Sequence, residues 1–191
     1  MRQWDLQALR RHIGVVLQDV FLFSGDIRAN LQRGDRAVPM DRIEKAARVA
    51  NAESFIHRLP DGFRSQVRER GSNFSGGQRQ LLSLARVLVF QPEILVMDEA
   101  TSSVDTETEA LIQDALEKIM RERTCLVIAH RLSTIRNADR IIVLHHGEVR
   151  ELGSHAELME RQGIYHRLYQ LQYEREEPLL APHEHATKIL G

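Results

Sequence analysis

A chain of 191 residues with 26 basic and 27 acidic side chains has the length of one domain and can bury a core without staples. Its formal net charge of −1 and pI near 6.8 give no field that would draw it to nucleic acid or to an anionic membrane surface. No apolar run approaches the ~18 residues of a membrane span, and Met1-Arg2-Gln3-Trp4-Asp5 has no signal-peptide stretch. The chain is therefore expected to be soluble on its own, and the lone Cys125 excludes an internal disulfide and fits a reducing cytosol.

In chain order, Leu6 to His12 is predicted as a short helix feeding a strand, Ile13 to Leu17, that ends at Gln18. A short helix is expected around Ile27 to Leu31. One helix is predicted over 39–59, with Pro39 in its first turn and Ile43, Ala46, Ala47 and Ala50 on its apolar side. Pro60-Asp61-Gly62 is a turn. Ser75 to Phe90 is apolar on most faces, hence a buried helix, and Pro92 stops it. Strands are predicted at 94–97, 124–129 and 140–145, with a helix over about 106–121 between the first two. Cys125 reads as a small apolar core residue of its strand. Near-continuous apolar strands separated by helices argue for a parallel sheet covered on both faces. A hairpin turning at His146-Gly147-Glu148 and two short helices, 154–160 and 164–173, complete the fold. From Glu174 onward the acidic residues, Pro178 and Pro182 indicate a solvated tail.

Three stretches and a lone histidine are the candidates for chemistry. Ser75-Gly76-Gly77-Gln78 reads first as an N-capping box. That accounts for Ser75 and Gln78 but not for two successive glycines, which cost about 1 kcal/mol each inside a helix. Close approach of the backbone to a phosphate at the helix N-terminus would explain them. Ile94-Leu95-Val96-Met97 runs straight into Asp98 and Glu99. A charged strand end in solvent is the plain alternative, yet ligands of open α/β sheets bind at the carboxyl ends of strands. Thr106 with Glu109 forms a second candidate capping box, leaving Asp105 free. His130 follows a buried strand, where a lone histidine is commonly structural. His145-His146 and His183-Glu184-His185 lack a convergent ligand set, and the charges along 107–123 read as a solvated helix face with i,i+4 pairing.

Taken together, Asn73-Phe74-Ser75-Gly76-Gly77-Gln78, Met97-Asp98-Glu99, Ser102-Ser103-Val104-Asp105, His130 and Gln18 resemble, in order, the signature motif, Walker B end, D-loop, switch histidine and Q-loop glutamine of an ATP-binding-cassette (ABC) nucleotide-binding domain. The signature usually begins with Leu where Phe74 stands. The resemblance implies a P-loop NTPase (RecA-like) parallel-sheet core over 1–25 and 91–173, with an α-helical signature subdomain inserted over about 26–90 and a disordered tail over 174–191. It implies that Gln18, Ser75, Gly76, Gly77, Gln78, Asp98, Asp105 and His130 serve ATP. Gln18 and Asp98 would hold Mg²⁺, Glu99 would polarise the attacking water, and His130 would contact the γ-phosphate. The segments Phe21 to Ile27 and Arg68 to Gly71 look like exporter segments that meet a transmembrane partner. In the second, Ser65, Gln66 and Arg68 stand where Thr, Glu and Gly are usual.

No Gly-x-x-x-x-Gly-Lys-Ser/Thr loop occurs: Lys45, Lys118 and Lys188 are the only lysines, and none follows a glycine. By resemblance the chain is the downstream part of such a domain, N-terminally truncated, with its phosphate cradle and adenine-stacking residue outside it and with unpaired strand edges left behind. Composite family sites pair one domain's Gln18, Asp98, Glu99 and His130 equivalents with the partner's Ser75, Gly76, Gly77 and Asp105 equivalents. The implied partners are a second nucleotide-binding domain and an exporter's transmembrane domain, at the cytoplasmic face of the membrane. The alternative is a catalytically incompetent module that only lends its signature to an intact partner. A chromosome-type cassette acting on nucleic acid is disfavoured, because 57 positions separate Gln18 from Ser75, with no coiled coil and no basic stripe.

Overall fold

A computed structural model of the chain describes residues 5–17, 19–33, 35, 37–98, 104–129 and 132–176, with the main chain only at 132–133 and 172–176. In chain order the elements are α1 Leu6–His12, β1 Ile13–Val16, β2 Gly25–Asp26, α2 Ile27–Gln32, α3 Met40–Val49, α4 Glu53–Arg58, β3 Gln66–Val67, α5 Gly76–Val89, β4 Ile94–Asp98, α6 Thr106–Glu122, β5 Thr124–Ile128, α7 Leu132–Arg136, β6 Ile141–His145, β7 Glu148–Gly153, α8 His155–Glu160 and α9 Ile164–Glu176. Two compact units divide the chain, residues 1–128 and 129–191.

In the first unit, apolar runs at β1, β4 and β5 form a parallel sheet in the order β1-β4-β5. The register sets Ile13 beside Ile94 beside Thr124, and Val15 beside Val96 beside Leu126. Because side chains alternate along a strand, Gly14, Val16, Leu95, Met97, Cys125 and Val127 share the other face. That face joins a core with Leu81, Leu84, Leu88 of α5 and Ile112, Ala115, Ile119 of α6. A Cβ on Gly14 would lie 2.4 Å from Val87 Cγ1, so glycine lets α5 approach the sheet. Cys125 is half-buried there, and burial pushes its thiol up from the usual range.

The expectation of a sheet covered on both faces is corrected. Val15, Leu126 and Ile128 on the opposite face are 51%, 55% and 55% exposed. The sheet residues that join the core with the described helices are Val16, Leu95, Met97, Cys125 and Val127, all on the one face. Within the described residues, β1 and β5 each pair on one side only.

Helices α2 to α4 and the two-residue antiparallel pair β2–β3 lie between the outer strands in sequence. The single helix expected over 39–59 is two. Asn51 adopts φ 55°, a left-handed conformation that ends α3, and its side chain donates to Leu111 O at 2.8 Å and Asp114 Oδ2 at 2.7 Å. Asn tolerates this conformation better than most residues, and the α6 contact fixes it. Asp114–Lys118 and Glu117–Arg121 form the expected i,i+4 pairs along α6.

In the second unit, β6 and β7 form an antiparallel hairpin whose turn has positive φ at His146 and Gly147, the conformation two-residue hairpins favour. Val143, Leu158 and Tyr165 are its buried centre. The Glu151 carboxylate accepts from the amides of Ile164 at 2.7 Å and Tyr165 at 3.0 Å, closing the start of α9. Those two amides, Tyr165's first, hold Glu151 below the usual carboxylate range. Helix α9 runs to Glu176, beyond the 173 expected, since no breaker precedes Pro178.

Candidate functional site

The best-defined candidate residues stand at the start of α5. Asn73 anchors the approach: its Oδ1 accepts from Arg68 N and its Nδ2 donates to Gln66 O, each at 2.9 Å. Phe74 is buried, edge-on to Phe55 at 6.3 Å, so the larger ring in place of leucine is a packing anchor. Arg79 Nη1 donates to Phe74 O at 2.7 Å and braces the turn. Ser75 is then the N-cap. Its Oγ accepts from Gln78 N at 3.2 Å, while Gln78 Oε1 accepts from Ser75 N at 3.0 Å. The reciprocal box read from the sequence is present. Gly76 and Gly77 are the first two helical residues, whose amides have no carbonyl four residues back within the helix.

Asp98 is the last residue of β4, half-buried and in register with Ile128 of β5. It thus sits at the carboxyl end of the central strand, where the open-sheet argument placed it. Gln18, Glu99 and His130 lie outside the described residues, as does the D-loop run 101–103.

Asp105 is the N-cap of α6, with Thr108 N donating to its Oδ1 at 2.9 Å. This corrects the sequence reading, in which Thr106 capped the helix and Asp105 was free. Thr106 is the first helical residue. An aspartate one position earlier offers a stronger acceptor for the same turn, and ionisation favours it at the positive end of the helix. The Thr108 amide, then its hydroxyl, hold the Asp105 carboxyl below the usual range.

The two helix starts adjoin each other. An ideal Cβ on Gly77 would lie 2.2 Å from Thr108 Cγ2 and 2.8 Å from Val104 Cγ1. Gly77 therefore has a packing reason to lack a side chain, independent of any ligand. Thr108 escaped the sequence reading because it lies some thirty positions downstream and matches no motif, and Val104, although part of the D-loop run, carries no sequence signal that it packs on Gly77.

A second cluster links α5 to the loop after β1. Arg86 donates to Phe21 O at 2.8 Å, Asn30 O at 3.0 Å and Asn30 Oδ1 at 3.1 Å. Asn30, 4% exposed, also donates to Phe23 O and accepts from Phe23 N. The rings of Phe21 and Phe23, stacked edge-on at 4.9 Å, project from this scaffold and are 49% and 62% exposed.

Among the described residues no group of three or more His, Cys, Asp or Glu could hold a metal ion, and no described helix is long and apolar enough to cross a membrane.

The chain as a whole is similar to known proteins. Residues 1–102 match the family model described as ABC transporter. The chain is 52% identical over 166 residues to "Probable multidrug resistance ABC transporter ATP-binding/permease protein YheH" of Bacillus subtilis, covering 87% of this chain and 25% of that protein. It is 49% identical over 176 residues to an ATP-dependent lipid A-core flippase of Syntrophus aciditrophicus, covering 92% and 29%. The solved structure of a bacterial Atm1-family ABC exporter with ATP bound superposes with TM-score 0.78 at 41% identity, over 87% of this chain and 30% of that one. The chain thus spans a quarter to a third of the length of these relatives. The parallel sheet with its helical insertion is the P-loop NTPase core anticipated from the motifs. A family match over more than half of the chain makes this protein a member of the ABC transporter family.

Proposed function

We propose that the chain carries the signature and acidic-strand motifs of an exporter-type ATP-hydrolysing domain, and that its complete half is the face lent to a partner domain's nucleotide. The observation that carries this reading is the pair of adjoining, capped helix N-termini: Ser75 heads α5, Asp105 heads α6, and Gly77 packs on Thr108 between them. Aligned amides at such a start favour an anion, and the γ-phosphate of a nucleotide held by the partner is its occupant in this account.

The opposite half-site comprises Gln18, Asp98, Glu99 and His130. The oxygen donors of Asp98 and Gln18 suit Mg²⁺, which is usually held by one or two carboxylates together with substrate phosphates and supplies charge neutralisation there. Glu99 orients and polarises the attacking water, and His130 contacts the γ-phosphate. Phosphoryl transfer to water asks little more of a protein than positioning and charge compensation. Phe21, Phe23 and the Arg68–Gly71 turn meet an exporter's transmembrane partner at the cytoplasmic face of the membrane. The lipid A-core flippase and multidrug relatives support the exporter branch.

A P-loop lysine normally holds the β- and γ-phosphates, and the 191 residues contain no such run. The purified chain is therefore expected to bind ATP weakly and to turn it over negligibly, whereas its signature face still serves a partner. Steady-state phosphate release tests this. Turnover by the purified chain that Glu99→Gln abolishes would refute it.

A further inference from the structure

We propose that Thr108 is a positioning residue that locks the signature turn to the D-loop turn, and that Gly77 is glycine because the Thr108 methyl occupies the space of its side chain. The inference rests on the reading of these two turns as one donor face, and it adds a residue outside the recognised motifs. Thr108 divides its functions by atom. Its backbone amide donates to Asp105 Oδ1 at 2.9 Å. Its Cγ2 methyl lies where a Cβ on Gly77 would stand, at 2.2 Å, with Val104 Cγ1 closing the notch at 2.8 Å. One residue thus holds the cap of α6 with its backbone amide and the start of α5 with its side-chain methyl.

The consequence is mechanical. Packed interiors do not deform continuously, so the Ser75 and Asp105 caps move as one body relative to a nucleotide. A side chain at Gly77 pushes α5 away from α6 and separates the two caps, even without touching a ligand. Loss of function on substituting Gly77 then arises inside this chain rather than at the phosphate.

The test is a set of single and double variants of the full chain. Gly77→Ala is expected to lower the melting midpoint by about 3–8 °C, the scale of overpacking in a chain of this length, and to speed amide exchange at Gln78 and Thr108. Thr108→Ser keeps the hydroxyl and removes the methyl, so Gly77→Ala/Thr108→Ser is expected to recover at least half of both losses. Thr108→Val keeps a methyl and loses the hydroxyl, so Gly77→Ala/Thr108→Val is expected to recover none. A Thr108→Ser double no better than Gly77→Ala overturns the joint. If Gly77→Ala alone does not fold, a folded Thr108→Ser double supports the joint and an unfolded one overturns it.

The functional arm measures ATP turnover by an intact cassette domain whose own signature is disabled, with each variant supplied as partner. Stimulation lost in Gly77→Ala and regained in the Thr108→Ser double supports positioning. A double that is stable as wild type yet does not stimulate overturns it and assigns Gly77 to direct ligand contact. Should wild type itself not stimulate, the donor reading fails, while the midpoint and exchange cycle still decides the joint.

Discussion

Arg86 offers the sharpest test of how the signature helix is tied to the exposed aromatic loop. Its guanidinium spans Phe21 O, Asn30 O and Asn30 Oδ1 at 2.8–3.1 Å and lies 6.0 Å from the centre of the Phe23 ring. Burial, with a smaller contribution from Arg33, lowers its pKa from the usual arginine value, and the group stays charged at neutral pH. Arg86→Ala removes two part-buried charge-assisted bonds of about 1.5–3 kcal/mol each and one exposed bond worth little. Relief of the guanidinium's own desolvation offsets roughly half of that sum, leaving a net loss of about 2–3 kcal/mol. For a chain of this length the melting midpoint should fall by about 5–10 °C. Arg86→Lys should fall between, since a point donor replaces one of the three bonds. Urea unfolding followed by far-UV circular dichroism measures the change, and limited proteolysis within 19–25 reports release of the Phe21–Phe23 loop. An Arg86→Ala variant within about 0.5 kcal/mol of wild type, the noise of surface substitutions, with the loop still protected, would show that Arg86 does not tie the loop to α5.

Other outcomes follow from the same geometry. Ser75→Ala should cost about 1 kcal/mol by removing one arm of the capping box, and Gln78→Ala should add little once Ser75 is gone, as a double-mutant cycle in urea would register. Asn51→Ala should be more destabilising than Asn51→Gly by about 1 kcal/mol, because both lose the α6 bonds but only alanine is strained at positive φ. Glu151 gives a pH dependence of definite sign. Its folded pKa is lowered, so its stabilisation is complete above the ordinary glutamate range and is lost as pH falls through the folded value. Protection of the Tyr165 amide, its exchange corrected for the intrinsic pH dependence, should fall on acidification below about pH 4.5 in wild type, with no such step in Glu151→Gln.

Much of the fold was legible because its signals are local. Apolar runs gave the three parallel strands within a residue or so at their ends, and the Ser75–Gln78 spacing gave a cap that the structure contains. What failed depended on distant partners or on choices between neighbours. Asn51 sits among Ala50 and Ala52 with no proline or glycine to mark a break, and only its bonds to α6 reveal why the helix divides. Asp105 and Thr106 are both good caps one position apart, and the three-residue reach to Thr108 or Glu109 fits either. The β2–β3 pair is too short to carry a periodic signal. Gly77 matched a ligand motif so well that a packing cause, visible only when Thr108 is brought beside it, went unread. The open sheet face at Val15 and Leu126 shows the complementary limit: a near-continuous apolar strand says that both faces seek cover, not which residues supply it.

Complementation decides whether these residues complete another domain's nucleotide site rather than their own. An intact ABC cassette domain with its signature serine substituted is titrated with this chain while ATP turnover is followed. Saturable stimulation by wild type is expected, unchanged by Glu99→Gln in this chain and lost with Ser75→Arg. Stimulation that depends on Glu99 and ignores Ser75 would contradict the donor reading.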